Sequence, residues 1–239
     1  MDSGQPLTEA LVVGVDGCRA GWIYVEARPV DKGLEIDRIG IAETFRNLIE
    51  AVSDSAFVSV DIPIGLSADG RREADYAARR FIGPRRSSVF PPPPRPVLAA
   101  CPADYWTLNA LSKSIRAGIS RQTFNIMPKI GEADRVMTPA LQARVRECHP
   151  EVSFCALNGD CLRHAKRTRE GQCERLDLLE TVFGPAIRAL LPPRGAALDD
   201  LYDAAVLAWT AARIARGEAR SLPATPEMDA RGLRMEIVY

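Results

Sequence analysis

The segment LVVGVDGCRAGWIYVEA, Leu11 to Ala27, constrains the fold more than any other stretch of this chain. Leu11 to Val15 is an unbroken apolar run, Trp22 to Ala27 is rich in aromatic and β-branched residues, and Gly17 to Gly21 between them reads as a turn. Pro29 to Gly33 supplies a second turn and Leu34 to Ala42 alternates as a third strand, so the chain is expected to open as a three-stranded antiparallel meander. One residue sits awkwardly in it. Asp16 places a carboxylate at the end of a run otherwise suited to burial.

After the meander, Thr44 stands at an N-cap position before Phe45, Leu48, Ile49 and Val52, which predicts a helix through Ser53. Ala56 to Val60 is a fourth apolar strand and again ends in an acid, Asp61, within SVDIPIGL. Ala68 to Ile82 and Ala103 to Ala117 are expected as helices, with GPRRSSVFPPPPRP between them as a loop that is neither helix nor central strand. Residues 67–140 therefore read as an insertion or cap on the core. VRECHPEVSF, Val145 to Phe154, has strand-like composition interrupted by Pro150, and Leu176 to Leu191 is a predicted helix closed by Pro192 and Pro193. Asp199 to Arg216 is a strong helix with Asp199 at the N-cap and Leu201, Ala204, Ala205, Ala208 and Ala212 or Trp209 on its apolar side; MEIVY is a closing strand.

At 239 residues with 46% apolar composition, the chain suits one soluble α/β domain. No run approaches the roughly 20 apolar residues of a membrane span. The start MDSGQPLTEA lacks a signal-peptide layout, so a cytoplasmic protein is expected. The six cysteines form no C-x-x-C pair, which argues for reduced thiols rather than a zinc knuckle or disulfide framework. Cys155 and Cys161, near His164, match no common metal-site spacing.

Formal net charge is zero but unevenly spread. Met1 to Asp61 holds 5 basic and 11 acidic residues, whereas Arg71 to Arg95 and Lys113 to Arg146 each hold 7 basic residues against 2 acidic ones. Carboxylates for cations and basic residues for a polyanion would be complementary parts of one site. Ordinary solvated surface charge is the competing reading. Asp200 and Asp203 lie three apart on one helix face, and the helix dipole accounts for acids in the first turn better than for Asp203.

Seven motifs taken together, GVDGCRAGW, VDIPIGL, RRSSVF, PKIGEAD, ECHPEVSF, KRTREG followed by ERL, and DDLYDA, resemble the uncharacterised prokaryotic family of predicted RNase H-like nucleases. They run in order from Val13 to Trp209. The resemblance implies an RNase H-like fold, a mixed five-stranded sheet with its first three strands antiparallel and helices on both sides. Carried over from the resolvase branch of that superfamily, it also implies that Asp16, Asp61, Asp200 and Asp203 hold two divalent cations. Hard carboxylate oxygens suit Mg²⁺ or Mn²⁺, and two ions about 3.5 to 4 Å apart stabilise both the attacking and the leaving oxygen of a phosphodiester. Gly14 and Gly17 are expected to let backbone and substrate approach the ions. Homodimers are frequent among resolvase-like enzymes.

ECHPE has no firm counterpart in the resolvases. His149 is a candidate general base or a structural histidine at the Pro150 bend, and Glu147 is a further metal-shell candidate with Glu151 as runner-up. Arg85, Arg86, Ser87 and Ser88 form a compact donor set for a phosphate backbone, and Lys129 and Lys166 are further substrate candidates; pairing with the chain's own acids is the alternative. Phe90, Trp106 and Phe124 suit either base stacking or packing. The expected function is metal-dependent hydrolysis of DNA or RNA. Two other classes stay open: a nucleotide-binding ATPase of the actin-like branch, for which 239 residues with one meander are short, and a non-catalytic nucleic-acid-binding protein that keeps the fold.

Overall fold

The computed structural model describes residues 10–239; the N-terminal stretch read for a signal peptide lies almost entirely outside them. The meander is present as β1 (Val12–Cys18), β2 (Gly21–Val30) and β3 (Gly33–Ala42), followed by α1 (Phe45–Ala51) and β4 (Phe57–Val60). Thr44 caps α1 by accepting from the Asn47 amide. β5 (Val145–Glu147) completes a five-stranded sheet of order β3-β2-β1-β4-β5, in which β1 pairs antiparallel with β2 and parallel with β4, and β4 pairs parallel with β5. The chain moves from β1 to one side of the sheet and returns on the other, so β1 and β4 flank a topological switch point. β1 runs through Cys18, and Asp16 lies inside the strand opposite Ile23; the β1–β4 ladder stops at Val15 and Val60, which leaves Asp16 and Asp61 together at its open end.

Period-two alternation gives each strand two different faces. Val13, Val15, Trp22, Tyr24, Val58 and Val60 point to the side covered by α1 and by α5 (Arg121–Val136). Val12, Ile23, Val25 and Ala27 point to the other side, covered by α7 (Arg169–Phe183) and α8 (Leu198–Ala215). Gly14 and Asp16 share that second side. A Cβ on Gly14 would stand 1.9 Å from the Ala204 carbonyl oxygen and 2.1 Å from the Ala208 nitrogen, so glycine here lets the backbone of α8 lie directly on β1. Gly14 thus admits a helix rather than an ion.

The middle of the chain departs from expectation in several places. The helix expected from Ala68 begins later, as α2 (Glu73–Phe81), and the loop after it holds a 3₁₀ turn, Gly83–Ser88, and a short α3 (Arg95–Ala99) entered from Pro94 with Pro96 in its first turn. α4 (Tyr105–Ser114) is the expected helix, capped by Asp104. α5 was not expected. Its interior Pro128 obscures the helical pattern, and burial of Thr123, Met127, Ile130 and Ala133 offsets the lost backbone bond.

VRECHPEVSF is only briefly a strand: after β5, Pro150 is the first residue of α6 (Pro150–Asn158), where its missing N–H costs nothing. Glu147 and Glu151 therefore belong to different elements, the end of β5 and the first turn of α6. α7 starts at Arg169 behind the Thr168 cap and stops at Gly184, well before Pro192. α8 is capped at Ala197, not Asp199, and its Leu201, Ala204, Ala205, Ala208 and Ala212 are buried as expected. β6 (Ser221–Met228) and β7 (Arg234–Val238) form a separate antiparallel pair, the second covering MEIVY. Among the described residues no helix is long and apolar enough to cross a membrane.

Candidate active site

The carboxyl ends of β1, β4 and β5 open into a cavity of about 630 Å³. Three of the four expected aspartates line it: Asp16 from β1, Asp61 just after β4, and Asp203 from the second turn of α8. The Asp61 amide donates to the Val15 carbonyl at 3.0 Å, which holds the two strand ends together. Asp16 is 8% exposed and Asp203 3%, so each carboxylate is held largely out of water. Asp200 does not line the cavity. Its side chain turns back to accept from the amide of Ala197, the N-cap residue, at 2.8 Å, so the acid that serves the helix start is Asp200 at its third position and not Asp199 at the cap.

The cost of this arrangement shows in the acidities. Burial raises Asp16 well above the ordinary carboxyl range, and repulsion from Asp61, Asp203 and Asp200 raises it further. Burial pushes Asp203 up to about 6 against the pull of Lys166, and burial raises Asp61 against the pull of His149 and Lys166. Lys166 Nζ donates to Asp203 at 2.8 Å and lies 3.6 Å from Asp199. Burial works against the lysine's charge, but Asp203, Asp16 and Asp199 hold it above its usual range. Lys166 reaches the acids from the loop before α7. That loop is held by Glu174, which accepts from the Arg163 and His164 amides at 2.9 and 3.0 Å, and by Gly171, where a Cβ would meet the Ala165 carbonyl oxygen at 2.0 Å.

The residues of ECHPE take other roles. Glu147 is 4% exposed and accepts from both Arg72 terminal nitrogens at 2.7 Å and from the Ile64 amide at 2.6 Å; Arg72 also binds Asp75. This buried pair is structural, and it removes Glu147 from the set of free ligands. His149 is the N-cap of α6, its Nδ1 accepting from the Glu151 amide at 3.2 Å, which assigns the proton to Nε2, 3.3 Å from the Ser88 carbonyl. Both ring nitrogens are engaged, which fits the structural alternative, and His149 lines the carboxylate cavity together with Glu147 and Glu151. Glu151 is paired with Arg175.

Of the basic candidates, Arg85, Ser87, Ser88, Lys129 and Lys166 line the cavity and Arg86 does not. Arg85 gives one bond from Nε to the Leu162 carbonyl at 3.3 Å, and its buried Nη2 has no hydrogen-bond partner among the described residues. Lys129, from α5, donates to the Gly21 carbonyl at 2.6 Å and stands over the Trp22 ring. Its neighbour Glu132 accepts from Trp22 Nε1 and the Phe45 amide, so PKIGEAD docks α5 on the β1–β2 hairpin. Gln122 and Arg167 also line the cavity; Arg167 lies within KRTREG, and no sequence pattern marked Gln122.

The family model described as "Protein of unknown function (DUF429)" matches residues 14–228. The chain belongs to the DUF429 family. The match takes in β1, β4 and α8, and so all three cavity aspartates of this DUF429 protein. None of the curated proteins matches the chain, and none of the solved structures does.

The donor chemistry of the DUF429 cavity fits a divalent cation: hard oxygens on acids that burial and mutual repulsion make costly to ionise without positive charge. The spacing is not that of a ready ligand set. Among the described residues no group of three or more His, Cys, Asp or Glu side chains is placed to hold a metal ion. Asp200 is turned to its helix cap, and Lys166 supplies positive charge at Asp203.

Proposed function

We propose that this chain is a metal-dependent nuclease with an RNase H-like fold, hydrolysing phosphodiesters of DNA or RNA at the cavity formed by Asp16, Asp61 and Asp203. The carrying observation is the convergence of three carboxylates from β1, the end of β4 and α8 on one cavity that also holds Lys166 and the unpartnered Arg85 nitrogen. The sheet order and strand directions support the fold assignment, since three antiparallel strands, a helix and two parallel strands are what the resemblance implied.

Asp16, Asp61 and Asp203 are the residues that would hold Mg²⁺ or Mn²⁺, with Asp200 adding negative charge from the helix start. Bound there, such ions would supply Lewis-acid stabilisation of charge developing on the phosphate and a more acidic water. The chain's own contribution is positioning. Arg85, Lys129 and Arg167 give the cavity cationic donors suited to phosphate oxygens, with Ser87 and Ser88 in its wall. Lys166 offsets the acids until positive charge arrives, and its ammonium is then available to a substrate phosphate. His149 ties α6 to the Arg85 turn through the Ser88 carbonyl, which sets the separation of the two cavity walls.

Calorimetric titration with Mg²⁺ and with Mn²⁺ tests the site. Binding that Asp16→Asn abolishes while circular dichroism stays unchanged is the expected result. Wild-type protein that binds neither ion at millimolar concentration would remove the metal-dependent reading.

A further inference from the structure

A second cavity, of about 390 Å³, lies at the far end of α6, away from the carboxylates. Cys155 and Cys161 line it with Phe81, Asp160, Arg213 and Arg220. Cys155 belongs to the last turns of α6, Gly159 ends that helix in a left-handed conformation, and the turn brings Cys161 back over it. The two Sγ atoms stand 3.5 Å apart. A disulfide bond measures about 2.05 Å, so the sulfurs need to close by about 1.5 Å, within reach of side-chain rotation. Cys155 is buried and Cys161 half-buried at the cavity wall.

We propose that Cys155 and Cys161 are a redox-active dithiol, which a small anionic disulfide entering the arginine-lined cavity oxidises to an intramolecular disulfide. The Cys161 thiolate, the more accessible sulfur, attacks the small disulfide, forms a mixed disulfide and releases one small thiol. Cys155 then attacks the Cys161 sulfur, loses its proton and expels the second small thiol. Two protein thiols are thereby oxidised and one disulfide is reduced to two thiols. Burial pushes the Cys155 thiol up to about 12, which disfavours it for the first attack. Arg213 and Arg220 give this cavity the positive charge that the carboxylates of such a reagent would meet.

The bridge has a structural consequence. Cys161 begins the loop that ends in Lys166 and the Thr168 cap of α7, while α6 begins with His149 and Glu151. Oxidation therefore fastens together two segments that wall the carboxylate cavity, whatever that cavity hydrolyses.

The test uses the full chain treated with oxidised glutathione under native conditions, followed by chymotryptic cleavage after Leu157 without reduction. The expected product is a fragment containing Cys155 joined to one containing Cys161, released by dithiothreitol, with slowed hydrogen exchange across residues 159–168. Cys155→Ser is expected to stop at glutathione trapped on Cys161. The proposal is overturned if glutathione is taken up only at the exposed Cys173 while Cys155 and Cys161 remain alkylatable, or if the bridge forms only in urea. Both outcomes are read on wild-type protein and do not depend on the variant folding or on nuclease activity.

Discussion

Asp16 is a buried carboxyl whose neighbours are mostly other carboxyls, and it weakens the fold it belongs to. A folded-state pKa above the unfolded one means the folded protein binds the extra proton. The associated stability is complete below the unfolded value near 4 and is lost as pH rises through the folded value, about 6 for Asp203. Asp16→Asn should therefore be more stable than wild type at pH 7, with the gap closing toward pH 4 in urea unfolding curves. A variant less stable than wild type at pH 7 would contradict the electrostatics described above. Burial raises Glu147 as well, up to about 7, but its carboxylate is bonded to the buried Arg72, so Glu147→Gln leaves that guanidinium with one carboxylate fewer; a loss of about 3 kcal/mol in the same assay is expected. Sequence alone could not separate these two acids. Asp16 was legible from its own strand, whereas the role of Glu147 depends on Arg72, a partner 75 positions away. Asp200 was misplaced for a related reason: a cap and a ligand look alike at the first turn of a helix.

At the level of elements, the site depends on how closely α8 approaches β1. Gly14→Ala would drive a methyl group into the α8 backbone, and about 3 kcal/mol or more of destabilisation is expected, measured as a lowered urea midpoint. A Gly14→Ala protein of wild-type stability would mean that α8 does not lie on β1 as described. His149→Ala should cost about 1 kcal/mol through its lost cap, and His149→Asn should restore most of it. The meander, α1, β4 and α8 were readable because local periodicity and caps agree with the tertiary burial. α5 was hidden by Pro128, and the β5–α6 junction was misread because Pro150 breaks a strand and starts a helix with equal ease. β6 carries Pro223 and Pro226 and pairs outside the main sheet, so no strand pattern marked it.

Across the whole molecule, the acidic start and basic middle of the chain are partly brought together, and partly spent on the fold itself. Arg72 and Arg95 are committed to internal ion pairs with Asp75, Glu147, Asp134 and Asp229, while Arg85 and Lys129 reach the carboxylate cavity. Nucleic-acid affinity should accordingly fall with salt, and Lys129→Ala should lower the log–log slope by about 1 without changing sequence preference. Incubation of single-stranded, duplex, hybrid and branched substrates in Mn²⁺, with wild type and with Asp16→Asn, decides whether this cavity is a nuclease site. Products are expected from at least one substrate with wild type and from none with the equally folded variant. Cleavage that persists undiminished in Asp16→Asn, or its absence from every substrate with wild type, would contradict that reading.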